Sequence, residues 1–97
     1  MKRFENMENR KMKKQRTEID KIDEDIVKLL AKRTNIVREM AKEKLDNKIN
    51  VQDKEREKEI FSKLKYHAYR YSIDYNFIKE FFSFIEKRVG LIPLALA

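Results

Sequence analysis

Thr17-Glu-Ile-Asp-Lys-Ile-Asp-Glu-Asp-Ile-Val-Lys-Leu-Leu-Ala-Lys-Arg-Thr-Asn-Ile-Val-Arg-Glu-Met40 carries one apolar stripe. Ile19, Ile22, Ile26, Leu29, Arg33, Ile36 and Met40 follow at alternating intervals of 3 and 4, the spacing that keeps side chains on one face of an α-helix. Leu30 and Val37 widen the stripe, and neither glycine nor proline interrupts it. The pattern predicts a helix from Thr17 to about Leu45. At ~1.5 Å per residue such a helix is about 40 Å long. It is too long for its stripe to be buried within one small monomer. A partner chain, or the remaining helices laid along it, must cover the rest.

The rest of the chain fits an all-α protein. It has 97 residues, the size of one domain. Charged residues make up 42 %, yet Leu, Ile, Val and Phe number 27, too many for a typical disordered segment. One glycine (Gly90) and one proline (Pro93) leave little to punctuate strands or hairpins. Residues 1–15 are basic and polar, and read as a solvated tail or an extension of the first helix. Asp46 to Gln52 break the period and read as a loop. A second helix opens near Asp53, with Ile60, Phe61, Leu64, Ala68 and Tyr71 on its apolar side. Ser72 to Asp74 form a short turn with Asp74 as N-cap. A third helix carries Phe77, Ile78, Phe81, Phe82, Ile85 and Val89. Gly90 is its C-terminal cap and Pro93 blocks its continuation. The organisation expected is a basic extension (1–15), a helical domain (16–90) and an apolar tail (91–97).

Composition also excludes chemistry. Without cysteine there is no disulfide and no thiolate metal site, and one histidine, His67, argues against a histidine-based one. No Ser/His/Asp set, glycine-rich phosphate loop or metal-ligand spacing occurs, so neither metal nor cofactor is expected. No apolar run reaches the ~18 residues of a membrane span. The N-terminus lacks the apolar core of a secretory signal, which makes the cytoplasm the expected location. The net charge of +7 suits an anionic partner, either nucleic acid or a small polyanion.

Arg33 points to which. Burying a guanidinium without a partner is very costly, so a stripe arginine needs a carboxylate from the protein or a ligand, or must snorkel out. Lys44 lies 11 residues further on, within about 20° of the same face. Asp53, Arg56 and Glu57, at i, i+3 and i+4, share one face at the start of the second helix. Two acids and a base there can grip a hydroxyl and a carboxylate; equally, Asp53 can be an N-cap and Glu57 can answer the helix dipole. Arg16 sits roughly 100° around the helix from Arg33, so it joins a site with Arg33 more readily from a partner's chain. The alternation of bases and aromatics from Lys65 to Tyr71 has the look of a nucleic-acid face, but is more often an amphipathic surface with half-buried tyrosines.

In combination these residues resemble the all-helical type of chorismate mutase. Arg16 to Arg33 is similar to that family's opening signature, continued by Ile36-Val37, Ala41 and Lys44. Val51-Gln-Asp53-Lys-Glu-Arg56-Glu57-Lys-Glu matches its second block, and Ile73-Asp74 with Phe77 to Ile85 its third helix. The resemblance implies three helices per chain, an intertwined homodimer with two sites, and rearrangement of chorismate to prephenate on the route to phenylalanine and tyrosine. By the same resemblance Arg33 binds a substrate carboxylate and Arg16 reaches over from the other protomer to bind carboxylate too. Lys44 holds a carboxylate and the ether oxygen of the breaking bond. Asp53 and Glu57 hold the ring hydroxyl, and Arg56 belongs to the cationic cluster.

One departure stands out. The family closes its site with a Ser and a Gln or Glu late in helix three, where this chain has Lys87-Arg88-Val89-Gly90-Leu91-Ile92-Pro93. Arg88 lies on the side of Phe81 and Ile85 and is the residue placed to substitute, although a cation near a helix C-terminus also has a purely electrostatic role. Two alternatives stay within the fold: an isochorismate-pyruvate lyase, and a catalytically inactive relative. A third is a non-enzymatic basic module binding nucleic acid, a partner the site residues do not call for.

Overall fold

The computed structural model describes residues 2–46 and 54–88, and every described element is a helix or the turn between two helices. Helix α1 is Lys2–Asp46, α2 is Lys54–Arg70 and α3 is Tyr75–Arg88. The all-α, three-helix reading therefore holds. Two units make up the chain, Met1–Arg33 and Thr34–Ala97.

The first unit is helical from Lys2, so the basic N-terminal segment extends α1. It has no apolar stripe there, but no breaker either, and its Lys, Arg, Glu and Met residues are good helix formers. Thr17 Oγ1 donates back to the Lys13 carbonyl at 3.0 Å, the i−4 bond of a threonine inside a continuous helix. Lys21 bridges Glu24 at 3.8 Å and Asp25 at 3.3 Å on the polar side. The stripe itself faces outward: Ile19, Ile22, Ile26 and Leu29 are all exposed, Leu29 by 65 %.

In the second unit α2 and α3 pack against each other as a helical hairpin. Ile60 and Ala68 on α2 and Ile85 on α3 are buried. Phe61, Leu64, Ile78, Phe81 and Phe82 are half-buried, so most of the expected apolar faces is realised. Tyr71 and Phe77 are the exceptions, exposed by 64 % and 59 %. Tyr71 follows the last residue of α2, where the backbone has begun to turn away from the helical face. Phe77 lies in the first turn of α3 and stacks on Phe81, with ring centroids 6.4 Å apart.

Backbone hydrogen bonds close the turn of residues 71–74. Tyr71 N donates to His67 O (3.0 Å), Ser72 N to Tyr69 O (3.3 Å) and Ile73 N to Ala68 O (2.9 Å). The last two are the paired bonds of a Schellman C-cap, with Ser72 at the left-handed position, φ 55°. Asp74 is the N-cap of α3, as expected: its carboxylate accepts from Phe77 N at 3.4 Å and its carbonyl from Ile78 N at 3.2 Å. The expected loop after Asp46, the cap at Gly90, Pro93 and the apolar tail lie outside the described residues, apart from Asp46 itself, which ends α1.

Candidate active site

Arg16 and Arg33 both belong to the first unit, on α1. Arg16 is exposed and Arg33 is half-buried. Lys44 lies in the last turn of α1 and Arg88 is the last residue of α3; their side chains, and Asp53 altogether, lie outside the described residues.

Arg56 and Glu57 sit in the first turn of α2, and both are half-buried. Arg56 Nη1 meets Glu59 Oε1 at 2.6 Å, and Lys63 Nζ reaches the same oxygen at 2.9 Å. The three residues lie at i, i+3 and i+7, a row along one side of α2. The Lys63 hydrogen bond, reinforced by the charges of Lys63 and Arg56, holds the Glu59 carboxyl below its ordinary value. Glu59 thus helps fix where the Arg56 guanidinium points. That network escaped the sequence reading, because the spacing of Arg56, Glu59 and Lys63 is one of many such charged spacings.

Glu57 faces a groove of about 620 Å³ between α2 and α3, lined also by Lys54, Lys58, Phe61, Lys65 and Tyr75. The tyrosines of the Lys65–Tyr71 segment are not half-buried as expected. Tyr66, Tyr69 and Tyr71 are all exposed, and the Arg70 guanidinium lies 5.5 Å from the Tyr71 ring centre. Among the described residues no group of acidic and histidine side chains could hold a metal ion, and no helix is long and apolar enough to cross a membrane.

The arrangement is thus a helical frame that distributes basic and acidic side chains. Its family follows from comparison. The model of the chorismate mutase type II family matches residues 15–89, a stretch that holds all seven candidate residues. The chain belongs to the chorismate mutase type II family. It is 40 % identical over 70 residues to the bifunctional chorismate mutase/prephenate dehydratase of Buchnera aphidicola subsp. Acyrthosiphon pisum (strain APS). To the protein of the same name in Buchnera aphidicola subsp. Schizaphis graminum (strain Sg) it is 39 % identical over 70 residues. Each alignment covers 72 % of this chain and 18 % of the relative, so the chain spans about a fifth of the length of these relatives. No solved structure matches it. The chorismate mutase type II assignment agrees with the all-helical fold.

Proposed function

We propose that this chain is a chorismate mutase, isomerising chorismate to prephenate in aromatic amino-acid biosynthesis. The observation that carries the reading is that the family match spans every member of its cationic and acidic set, from Arg16 to Arg88. The reaction is an intramolecular rearrangement of one dianion. The ether C–O bond breaks as a C–C bond forms, with no proton or group exchanged with the protein. The protein has two tasks: to hold the substrate folded with its reacting carbons close, and to stabilise negative charge growing on the ether oxygen.

The residue types suit both tasks. Arg33 and Arg16 bind the two carboxylates, the planar guanidinium being matched to a carboxylate's paired oxygens. Lys44 stands at the ether oxygen, where a fixed cation gains most as charge develops. Asp53 and Glu57 accept from the ring hydroxyl. Arg56, steadied by Glu59, adds positive charge nearby. Arg88, three residues after the buried Ile85, takes the place of the family's second ether donor.

The working form is an intertwined homodimer located in the cytoplasm. Its support is the outward-facing stripe of α1, since Ile19, Ile22, Ile26 and Leu29 gain stability only when a second surface covers them. Arg16 then reaches its site from the partner chain.

The test is chorismate consumption by purified protein, wild type beside Arg33→Ala. Prephenate formation that falls about 10²–10³-fold in the variant is the expected result. No turnover by wild type at micromolar enzyme overturns the proposal, as does conversion of isochorismate to salicylate and pyruvate in place of mutase activity.

A further inference from the structure

The groove between α2 and α3 holds lysines and rings to which the proposed mutase activity gives no part. Its floor is two half-buried rings, Phe61 of α2 and Tyr75 of α3. Around them stand four exposed lysines: Lys54, Lys58 and Lys65 on one side of α2, and Lys79 on α3. The two helices exchange cations across the groove. Lys65 Nζ of α2 lies 6.0 Å from the centre of the Tyr75 ring, and Lys79 Nζ of α3 lies 5.9 Å from that of Phe61. Among the described residues none of the four lysines has a carboxylate within salt-bridge distance, whereas Lys21 and Lys63 do. Four lysines against one carboxylate, Glu57, give the groove lining a net positive charge, which a multiply charged anion answers. Both cation–ring distances are at the outer limit of the attractive range, so the ammonium groups can leave the rings without losing a strong contact. The vacated ring faces then suit a planar aromatic group. The groove, at about 620 Å³, has the size of a small-molecule site.

We propose that this groove is a second binding site, for a small nucleotide-type polyanion: a planar base that stacks on Phe61 or Tyr75, with phosphates gripped by Lys54, Lys58, Lys65 and Lys79. None of these six residues belongs to the chorismate-holding set. Glu57, to which the proposed function gives the ring hydroxyl, also lines the groove. The base requires the rings and the phosphates require the lysines, so the two parts of the ligand are separable in experiment.

The test is an NMR titration of the chain with magnesium-free ATP, pyrophosphate and adenosine at low salt, reading amide and ring signals of Phe61 and Tyr75. Saturable shifts are expected with ATP, weaker binding with pyrophosphate and none with adenosine. Added salt weakens binding by ATP. The double variant Lys65→Gln/Lys79→Gln, with its helical circular dichroism unchanged, binds ATP about tenfold or more weakly, as expected when two charge-assisted contacts are lost. Absence of a saturable shift with ATP, or equal affinity in the double variant, overturns the site. Pyrophosphate binding as tightly as ATP overturns its assignment to a nucleotide. Shifts that follow protein concentration instead of ATP mean that a second copy fills the groove, and overturn it as well.

Discussion

The Ile73 amide donates to the Ala68 carbonyl at 2.9 Å, and this bond turns the chain out of α2 through Ser72 at φ 55°. A left-handed backbone brings a Cβ too close to the neighbouring carbonyl oxygen, at a cost of about 1–2 kcal/mol for an ordinary residue. Glycine is the usual occupant of this cap position, and the chain has serine there. Ser72→Gly therefore stabilises the hairpin. The gain is about 0.5–1 kcal/mol, because the extra freedom of glycine in the unfolded chain offsets part of the relief. Ser72→Val, with a branched side chain at the same angles, destabilises it. Thermal unfolding followed by circular dichroism checks both signs.

Asp74 lies two residues further on and secures the other side of the turn. Its carboxylate satisfies the Phe77 amide, one of the donors that the start of α3 leaves open. Asp74→Ala lowers stability by about 1 kcal/mol, and Asp74→Asn, which keeps the acceptor oxygen, by much less. Denaturant melts of the three proteins separate loss of the acceptor from loss of the charge.

Glu59 gives a pH dependence with a definite sign. Its carboxyl is held below its ordinary value of 4.5, first by the Lys63 hydrogen bond and then by the charges of Lys63 and Arg56. The folded protein therefore binds that proton less readily than the unfolded chain. The stabilisation is fully present above the unfolded value and is lost as pH falls through the lowered folded one. Glu59→Gln should be slightly less stable than wild type at neutral pH, with a difference that shrinks in salt and vanishes in acid. A stability difference that persists below the carboxylate range contradicts this account.

These features show where the sequence is legible. The α1 stripe, the α2 and α3 faces and the Asp74 cap all rest on local periodicity or on a side chain bonding within its own turn. They are encoded at short range. The helical state of residues 2–16 was less legible because no stripe marks it, and only helix propensity extends α1 that far. Tyr71 departs from the α2 apolar face because the left-handed Ser72 ends the helical register there, and a serine gives no warning of that angle. At the site, Arg33 stands out as a charge among apolar residues, whereas the Arg56–Glu59–Lys63 row is one of many charged i, i+3 and i+4 spacings and is not distinguished from them by sequence. The lysine groove was not legible, because it depends on which face of α3 meets α2, a tertiary fact that neither helix carries alone.

The position of Arg16 on α1 allows a test of the dimer that needs no structure of it. Arg16 and Arg33 point in directions roughly 100° apart on the same helix, so in the proposed dimer each site takes Arg33 from one protomer and Arg16 from the other. Arg16→Ala and Arg33→Ala each disable both sites of their own homodimer. When the two are unfolded together and refolded as a mixture, half the dimers are mixed. One site in each mixed dimer then has both arginines intact, while the other has lost both. The mixture should recover about a quarter of the wild-type rate, the value expected for random pairing in a two-fold dimer. If Arg16 serves the site of its own chain, every site in every mixed dimer lacks one arginine and no activity returns. Chorismate disappearance in the refolded mixture, set against each variant refolded alone, decides between the two arrangements.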